Sequence, residues 1–300
     1  MKEDNRMVRV LCVCTGNTCR SPMAQALLQQ AAQQQNLPLE AASAGLAAFA
    51  GDPASENAVC AMQELGIDLS AHRAHPLTRY ALEQSDYVLC MSARHAAALA
   101  GLVPAEKLVV PPGGVPDPFG GELDLYRQTR DRLRSFLEQW LREISAPVIA
   151  PLSADAVPGV AAIEQACFST PWSEQSIREE LQNGQALVLT LSVCKEVVGY
   201  IGVHIVLDEA YVTNLAVLPA FRRKGYGRRL LKAAMDACKQ RDCAFLSLEV
   251  RVSNEAAKAL YASCGFRERG RRKAFYEKPT EDALIYTCDF PKKDDPVCEF

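Results

Sequence analysis

Cys14 and Arg20 stand six positions apart in Cys14-Thr15-Gly16-Asn17-Thr18-Cys19-Arg20-Ser21, between an apolar run of strand length, Met7 to Val13, and a helix start. A thiol and a guanidinium at that spacing suit attack of sulfur on phosphorus. Ser21-Pro22 is expected to supply the N-cap and a first-turn proline, so that the loop aims its backbone N–H groups at one point before a helix N-terminus. An oxyanion placed there meets donors and the positive end of the helix dipole together. The same field favours the thiolate of Cys14, and the planar fork of Arg20 can hold two phosphoryl oxygens. The spacing alone leaves open a loop that only binds an anion.

The elements that must position this loop read as an α/β unit. Short apolar strands (Met7 to Val13, Leu39 to Ser43, Tyr87 to Met91, Lys107 to Val110) alternate with helical patterns, which predicts a parallel sheet wrapped by helices. The last helix of this half is expected over about Leu123 to Ile144, before Ser145-Ala146-Pro147, which reads as a short linker. With 300 residues the chain is long enough for two cores, and domains are expected at 1–146 and 147–300.

The second half opens with Val148-Ile-Ala-Pro-Leu152 and a helical stretch near Val157 to Cys167. Strands follow near Ala186 to Val193, Val197 to Val206 and Ala210 to Leu218. A second anion site then comes into view. Arg222-Arg223-Lys224-Gly225-Tyr226-Gly227-Arg228 follows the strand that ends at Pro219 and opens a helical run, Tyr226 to Lys239, so N–H groups and basic side chains again face an incoming phosphate. Leu246-Ser-Leu-Glu249-Val-Arg-Val alternates as a strand, and Ser253-Asn254 begins a helix that runs through Tyr261 to Gly265-Phe266.

Charge and composition bound the partners. Apolar residues make up 49% and charged residues 23%, ordinary for a soluble globular chain, and no apolar stretch approaches a membrane span. The start, Met1-Lys-Glu-Asp-Asn-Arg, lacks the apolar region of a signal peptide, so a cytoplasmic location without membrane contact is expected. Basic and acidic residues nearly balance in each half (13 against 16 in 1–147, 20 against 20 in 148–300), which argues against direct nucleic-acid binding. Twelve cysteines scatter through apolar segments and recur at no zinc-ligand spacing, so neither a disulfide framework nor a metal is expected.

The run Cys14-Thr-Gly-Asn-Thr-Cys-Arg-Ser-Pro-Met, with Ser43-Ala44-Gly45 and Asp117-Pro118-Phe119-Gly120, resembles the low-molecular-weight protein tyrosine phosphatase family across roughly the first 145 residues. The resemblance implies that family's α/β fold, with Cys14 as nucleophile, Arg20 as phosphate clamp and Asp117 as the acid that protonates the leaving group and then the base for water. Asn17 and Ser43 would support the loop, and Thr15, Gly16, Thr18, Cys19 and Ser21 would line the phosphate site. Tyrosine-directed members usually carry a larger aliphatic residue where Thr18 stands. The bacterial protein-arginine phosphatases carry threonine, with a segment much like Asp117 to Asp131, so phosphoarginine is favoured over phosphotyrosine. Cys19 is a thiol placed to trap an oxidised Cys14 as a disulfide.

Residues 148–290 resemble the GCN5-related N-acetyltransferases. Pro171-Trp-Ser-Glu, Asn214-Leu-Ala-Val-Leu-Pro, Leu248-Glu-Val-Arg-Val-Ser-Asn, Ala259-Leu-Tyr and Arg271-Arg-Lys-Ala-Phe-Tyr with Glu281-Asp-Ala-Leu look like the ribosomal-protein-alanine enzymes. This implies a mixed, mostly antiparallel sheet and acetyl-CoA as co-substrate. Its pantetheine would pair with the backbone of Leu215, Ala216 and Val217, and its pyrophosphate would rest on Arg223, Lys224, Gly225, Tyr226, Gly227 and Arg228. Asn254 would hold the cofactor near its thioester, Glu249 would take the proton of the attacking amine, and Tyr261 would protonate the departing thiolate. An N-terminal acceptor fits a single modest base. Roughly one α-amino group in ten is unprotonated near pH 7, against on the order of one lysine in 2,500. The implied partners are a phosphorylated protein and a ribosomal-protein N-terminus.

His72, His75, His95 and His204 read as surface or satisfied-core residues rather than metal ligands, and Arg267 to Lys273 as a solvated hairpin. Four functional readings follow. In the first, both sites are enzymes on one chain; in the second, the first domain is a non-catalytic phosphoprotein-binding module; in the third it is an arsenate reductase, which would need a downstream pair of redox cysteines where Cys90 stands alone; in the fourth it acts on phosphotyrosine beside a different acetyl acceptor.

Overall fold

The computed structural model describes residues 7–291. Residues up to Ala146, with Cys194–Glu196, form one compact unit, and Pro147–Val193 with the residues from Val197 on form another.

The first unit is built on β1 (Val8–Cys14), α1 (Arg20–Gln35), β2 (Leu39–Gly45), α2 (Glu56–Gln63), α3 (Arg79–Gln84), β3 (Tyr87–Cys90), α4 (Ala93–Leu99), β4 (Leu108–Val109) and α5 (Leu123–Ile144). Its strands make a four-stranded sheet in the order β2-β1-β3-β4, and every pair is parallel. β1 is nearly all apolar because both of its faces are covered, the pattern expected of a central parallel strand. Leu11, Val13, Ala44, Val88, Cys90 and Leu99 pack in one cluster of this core. α5 buries Tyr126, Thr129, Leu133, Leu137, Trp140 and Leu141 at three- and four-residue steps and packs against α1 and α2. In parallel β1/β2 pairing Cys14 lies opposite Gly45, so the end of β1 and the end of β2 open at the same edge. That edge is where α/β sheets hold their ligands.

The second unit comprises β5 (Val148–Pro151), α6 (Val157–Cys167), α7 (Glu174–Glu180), β6 (Ala186–Val193), β7 (Glu196–Val206), β8 (Glu209–Val217), α8 (Tyr226–Gln240), β9 (Phe245–Arg251), α9 (Glu255–Ser263), β10 (Arg267–Glu277) and β11 (Thr280–Asp289). Its seven-stranded sheet runs β10-β11-β9-β8-β7-β6-β5. The β10/β11, β11/β9, β7/β8 and β5/β6 pairs are antiparallel, and β8/β9 is parallel. The fold class is therefore the expected one, a parallel sheet wrapped by helices followed by a mixed, mostly antiparallel sheet. Among the described residues no helix is long and apolar enough to cross a membrane, no group of three or more His, Cys, Asp or Glu is placed to hold a metal, and every cysteine is a free thiol.

Candidate active sites

The loop after β1 wraps around the sulfur of Cys14. The Asn17 backbone N–H donates to Cys14 Sγ at 3.2 Å, and the Ser21 hydroxyl lies 2.9 Å from it. Asn17 is in the left-handed region at φ 55, a strained conformation that its side chain stabilises from three sides. Its Nδ2 donates to Ser21 Oγ and to Ser43 Oγ, each at 2.9 Å, and its Oδ1 accepts from the His75 backbone at 2.8 Å. Ser43 in turn donates to Gln25 Oε1 at 2.6 Å. Gly45 completes the cradle. A Cβ there would stand 2.6 Å from the Thr15 carbonyl and 3.0 Å from the Asn17 nitrogen, both backbone atoms, so only glycine fits without moving the loop.

One expectation is corrected here. α1 starts at Arg20, its N-cap is Cys19 without a side-chain cap hydrogen bond, and Ser21 is the second helical residue. Its hydroxyl turns inward to Cys14 and Asn17 instead of capping the helix. Leaving the first amides of α1 without a side-chain cap suits a helix end that faces an anion.

Arg20 is buried, and its Nη2 donates to Asp117 Oδ2 at 2.5 Å across 97 residues of chain, while Nη1 donates to the Val115 carbonyl at 3.4 Å. A cavity of about 330 Å³ over the loop is lined by Cys14, Thr18, Arg20 and Asp117, with Phe49 and Phe119 exposed at its mouth. The structure thus gathers Cys14, Thr15, Gly16, Thr18, Cys19, Arg20 and Asp117 at one cavity, with Asn17, Ser21 and Ser43 behind it. Cys19 Sγ faces Ser55 Oγ at 3.2 Å and the Tyr126 hydroxyl at 3.5 Å.

Two histidines read as bland in the sequence touch this loop. His72 Nε2 donates to the Asn17 carbonyl at 2.7 Å, and His95 Nε2 meets Thr15 Oγ1 at 3.0 Å while its Nδ1 meets Ser92 Oγ at 2.8 Å. Burial lowers both pKa values; for His95 the Arg20 charge adds to the lowering, against the Asp117 charge. Their partners lie 55 and 80 residues away, so no local pattern could have marked them. His204, by contrast, is satisfied by Glu180 at 2.8 Å.

In the second unit, β8 and β9 pair only over Glu209–Tyr211 and Phe245–Ser247, while β9 keeps its other edge on β11 along its full length. Beyond Tyr211 the two strands part. A bulge in β8 lies at the parting: Gly202 pairs with Asn214 and Val203 with Val212, which leaves Thr213 as the extra residue. A Cβ on Gly202 would sit 2.4 Å from Thr213 Oγ1, so a larger residue here would force the Thr213 hydroxyl to turn away. The Leu218 N–H bonds the Val198 carbonyl, so by alternation Ala216 directs its backbone groups to β7. Leu215 and Val217 direct theirs to the open side, where the Val217 carbonyl accepts from Arg222 Nε at 2.9 Å.

The Arg222–Gly225 turn delivers the chain to α8, whose N-cap is Gly225 at φ 81, with Arg223 also left-handed at φ 64. No side chain caps the helix, and the open edge of Leu215 and Val217 runs toward the same turn. An uncapped amide cluster in a basic loop beside an open strand edge fits a pyrophosphate joined to an amide-bearing arm. Arg228 donates to Ser263 Oγ at 2.8 Å, and Lys224 lies over the Phe221 ring at 5.4 Å.

Glu249 lies in β9 where it has parted from β8, two residues inside the strand end, and pairs with Arg272 at 3.2 Å. Tyr261 is buried on α9 against Phe266 and Tyr286, and burial raises its pKa, with Tyr276 adding to the effect. Asn254 caps α9, its Oδ1 accepting from the Ala257 N–H at 3.1 Å. The basic run Arg267 to Lys273 is solvent-exposed apart from Gly270, on β10, where Arg271 pairs with Asp282 at 2.7 Å and Arg269 with Asp289.

Residues 9–149 match the low molecular weight phosphotyrosine protein phosphatase family and residues 157–266 match the acetyltransferase (GNAT) family. The chain belongs to both families, one in each half. In its first half it is 38% identical over 144 residues to the protein-arginine-phosphatase of Bacillus subtilis, which covers 45% of this chain and 95% of that protein. In its second half it is 41% identical over 124 residues to a putative [ribosomal protein bS18]-alanine N-acetyltransferase of the same organism, covering 41% of this chain and 82% of that protein. Among solved structures it is similar to the ribosomal-protein-S18-alanine N-acetyltransferase of Escherichia coli, at 34% identity and a TM-score of 0.46, covering 50% of this chain and 99% of that one.

Proposed function

We propose that the chain is a bifunctional enzyme, a cysteine-dependent protein phosphatase that prefers phosphoarginine and an acetyl-CoA-dependent acetyltransferase acting on the N-terminal alanine of a ribosomal protein. The observation that carries the phosphatase reading is the Arg20–Asp117 pair at 2.5 Å beside a sulfur faced by the Asn17 N–H. An incoming phosphoryl dianion takes over the fork of Arg20 and frees the half-exposed Asp117 carboxylate, which takes up a proton from solvent beside the bound anion. Cys14 sulfur then bonds phosphorus as the P–N bond breaks, and Asp117 gives its proton to the departing guanidine nitrogen. In the second step Asp117 takes a proton from water, the water oxygen bonds phosphorus, and sulfur leaves as thiolate with release of phosphate.

Thr18 at the cavity supports the phosphoarginine preference, as does the likeness to a protein-arginine-phosphatase. Thr18→Ile replaces a polar contact by an apolar branch and is expected to lower the kcat/KM ratio for phosphoarginine over phosphotyrosine peptides by about tenfold. An unchanged ratio would remove Thr18 as the selector.

For the second unit the carrying observation is the parting of β8 and β9 with Glu249 at the gap and the uncapped start of α8 beside it. Bound acetyl-CoA supplies an activated thioester. Leu215 and Val217 offer backbone groups to its pantetheine arm, with Ala216 between them; Arg223, Lys224, Gly225, Tyr226, Gly227 and Arg228 surround its pyrophosphate, and Asn254 flanks it. Glu249 accepts the proton of the attacking amine, and Tyr261, which burial keeps protonated, gives its own to the departing sulfur. Mass spectrometry of a peptide with a free N-terminal alanine tests the acceptor. Acetylation confined to lysine side chains would overturn the terminal-amine reading.

A further inference from the structure

Glu164 is a fully buried carboxylate to which the mechanism gives no part. It lies on α6 and gathers three donors from three other segments. Its Oε2 accepts from the Trp172 backbone N–H at 2.7 Å, and its Oε1 accepts from Asn214 Nδ2 at 2.7 Å and from the Tyr200 hydroxyl. No cation is among these partners. A buried carboxylate held only by neutral donors is costly, and an acceptor-only group with two oxygens is the side chain that satisfies all three donors at once. The Tyr200 pKa is raised, by burial first and by Glu164 next, so its phenol stays a donor.

The three donors frame the parting of β8 and β9. Asn214 is the residue opposite Gly202 at the bulge and directly precedes Leu215. Trp172 lies in the segment between α6 and α7 and packs, with Phe168, on the cluster of Val160, Ile163, Tyr200 and Ala216. The side chains of Asn214 and Ala216 thus face α6, whereas Val217 and Leu230 of α8 meet at Gly199 on the opposite face of the sheet. On the acetyltransferase reading, on which this inference rests, the start of α8 takes the cofactor's pyrophosphate. The acceptor amine then reaches the gap from the α6 face, past Phe168–Trp172.

We propose that Glu164 is a positioning residue that ties the Phe168–Trp172 segment to Asn214, so that one wall of the acceptor site is set before the peptide arrives. It touches neither substrate nor cofactor. Loss of the tie loosens the acceptor side of the gap and leaves the α8 side as it was.

The test measures, on the full chain, acceptor KM and kcat with an alanine-initiated peptide and acetyl-CoA Kd by calorimetry. Glu164→Ala is expected to raise acceptor KM at least tenfold with acetyl-CoA Kd changed less than about twofold, since it leaves the three donors that converge on this buried carboxylate without their acceptor. Glu164→Gln keeps the volume and one accepting oxygen, and is expected to raise KM about fivefold, the worth of about one hydrogen bond. If Glu164→Ala does not fold, the glutamine variant decides. An acceptor KM unchanged in Glu164→Gln would overturn the proposal, as would acceptor and cofactor binding weakened equally in step with a lowered Tm, the signature of a merely structural role. A wild-type chain that acetylates no alanine-initiated peptide would overturn the acetyltransferase reading and this proposal with it.

Discussion

Cys14→Ser is expected to lower phosphate release from a phosphoarginine peptide by at least about 10⁴-fold while phosphate still binds the loop. The hydroxyl that replaces the thiol stays protonated in a field that favours a sulfur anion, so the nucleophile is lost. The cradle is not. Asn17, held by Ser21, Ser43 and the His75 backbone, keeps the loop wound without help from the sulfur, and Arg20 keeps its fork. Phosphate binding by calorimetry and phosphate release by a coupled assay separate the two effects. Hydrolysis at the parent rate would remove Cys14 from the mechanism.

Glu249→Gln and Tyr261→Phe are each expected to slow acetylation by roughly 10²- to 10³-fold, the usual worth of a positioned acid or base. The two variants differ in how they fail. Glu249→Gln should be slowest at low pH, where an N-terminal amine is mostly ammonium and the base is most needed. Tyr261→Phe should leave acetyl-CoA affinity near the parent value, because the lost hydroxyl serves the leaving sulfur and Tyr261 packs on α9 through its ring against Phe266 and Tyr286. Initial rates across pH, with calorimetric Kd for acetyl-CoA, check both. Full activity in both variants would contradict the acid and base assignments.

The elements were legible where the signal is local. α5 runs from Leu123 to Ile144 as its periodicity predicts, because an amphipathic stripe and a following Ser-Ala-Pro mark both ends. β1 to β4 fall on their apolar runs to within two residues. The Cys14–Arg20 loop was legible for the same reason, as a strand, a small-residue turn and a helix start in ten residues. The partners across the chain were not. Ser21 reads as a cap from its neighbours, yet in the fold its hydroxyl faces Cys14 Sγ and accepts from Asn17 Nδ2, partners that the local pattern does not mark. His72, His95 and Glu164 look ordinary in the sequence, since each acquires its partner only when segments distant in the chain close on one another. The parting of β8 and β9 lies at a one-residue bulge, a register shift that no alternation of apolar residues marks, and its nearest sign in the sequence is Gly202 facing Thr213.

The central claim, two working sites on one chain, is met most directly by a single preparation of the full chain mixed with a phosphoarginine peptide, a phosphotyrosine peptide, an alanine-initiated peptide and acetyl-CoA, with each peptide followed by mass spectrometry. The account predicts loss of the phosphoryl group, faster from phosphoarginine, together with gain of one acetyl group on the alanine amine; Cys14→Ser should stop only the first and Tyr261→Phe should slow only the second. Phosphopeptides that stay intact while acetylation proceeds would contradict it and leave the first unit as a phosphoprotein-binding module.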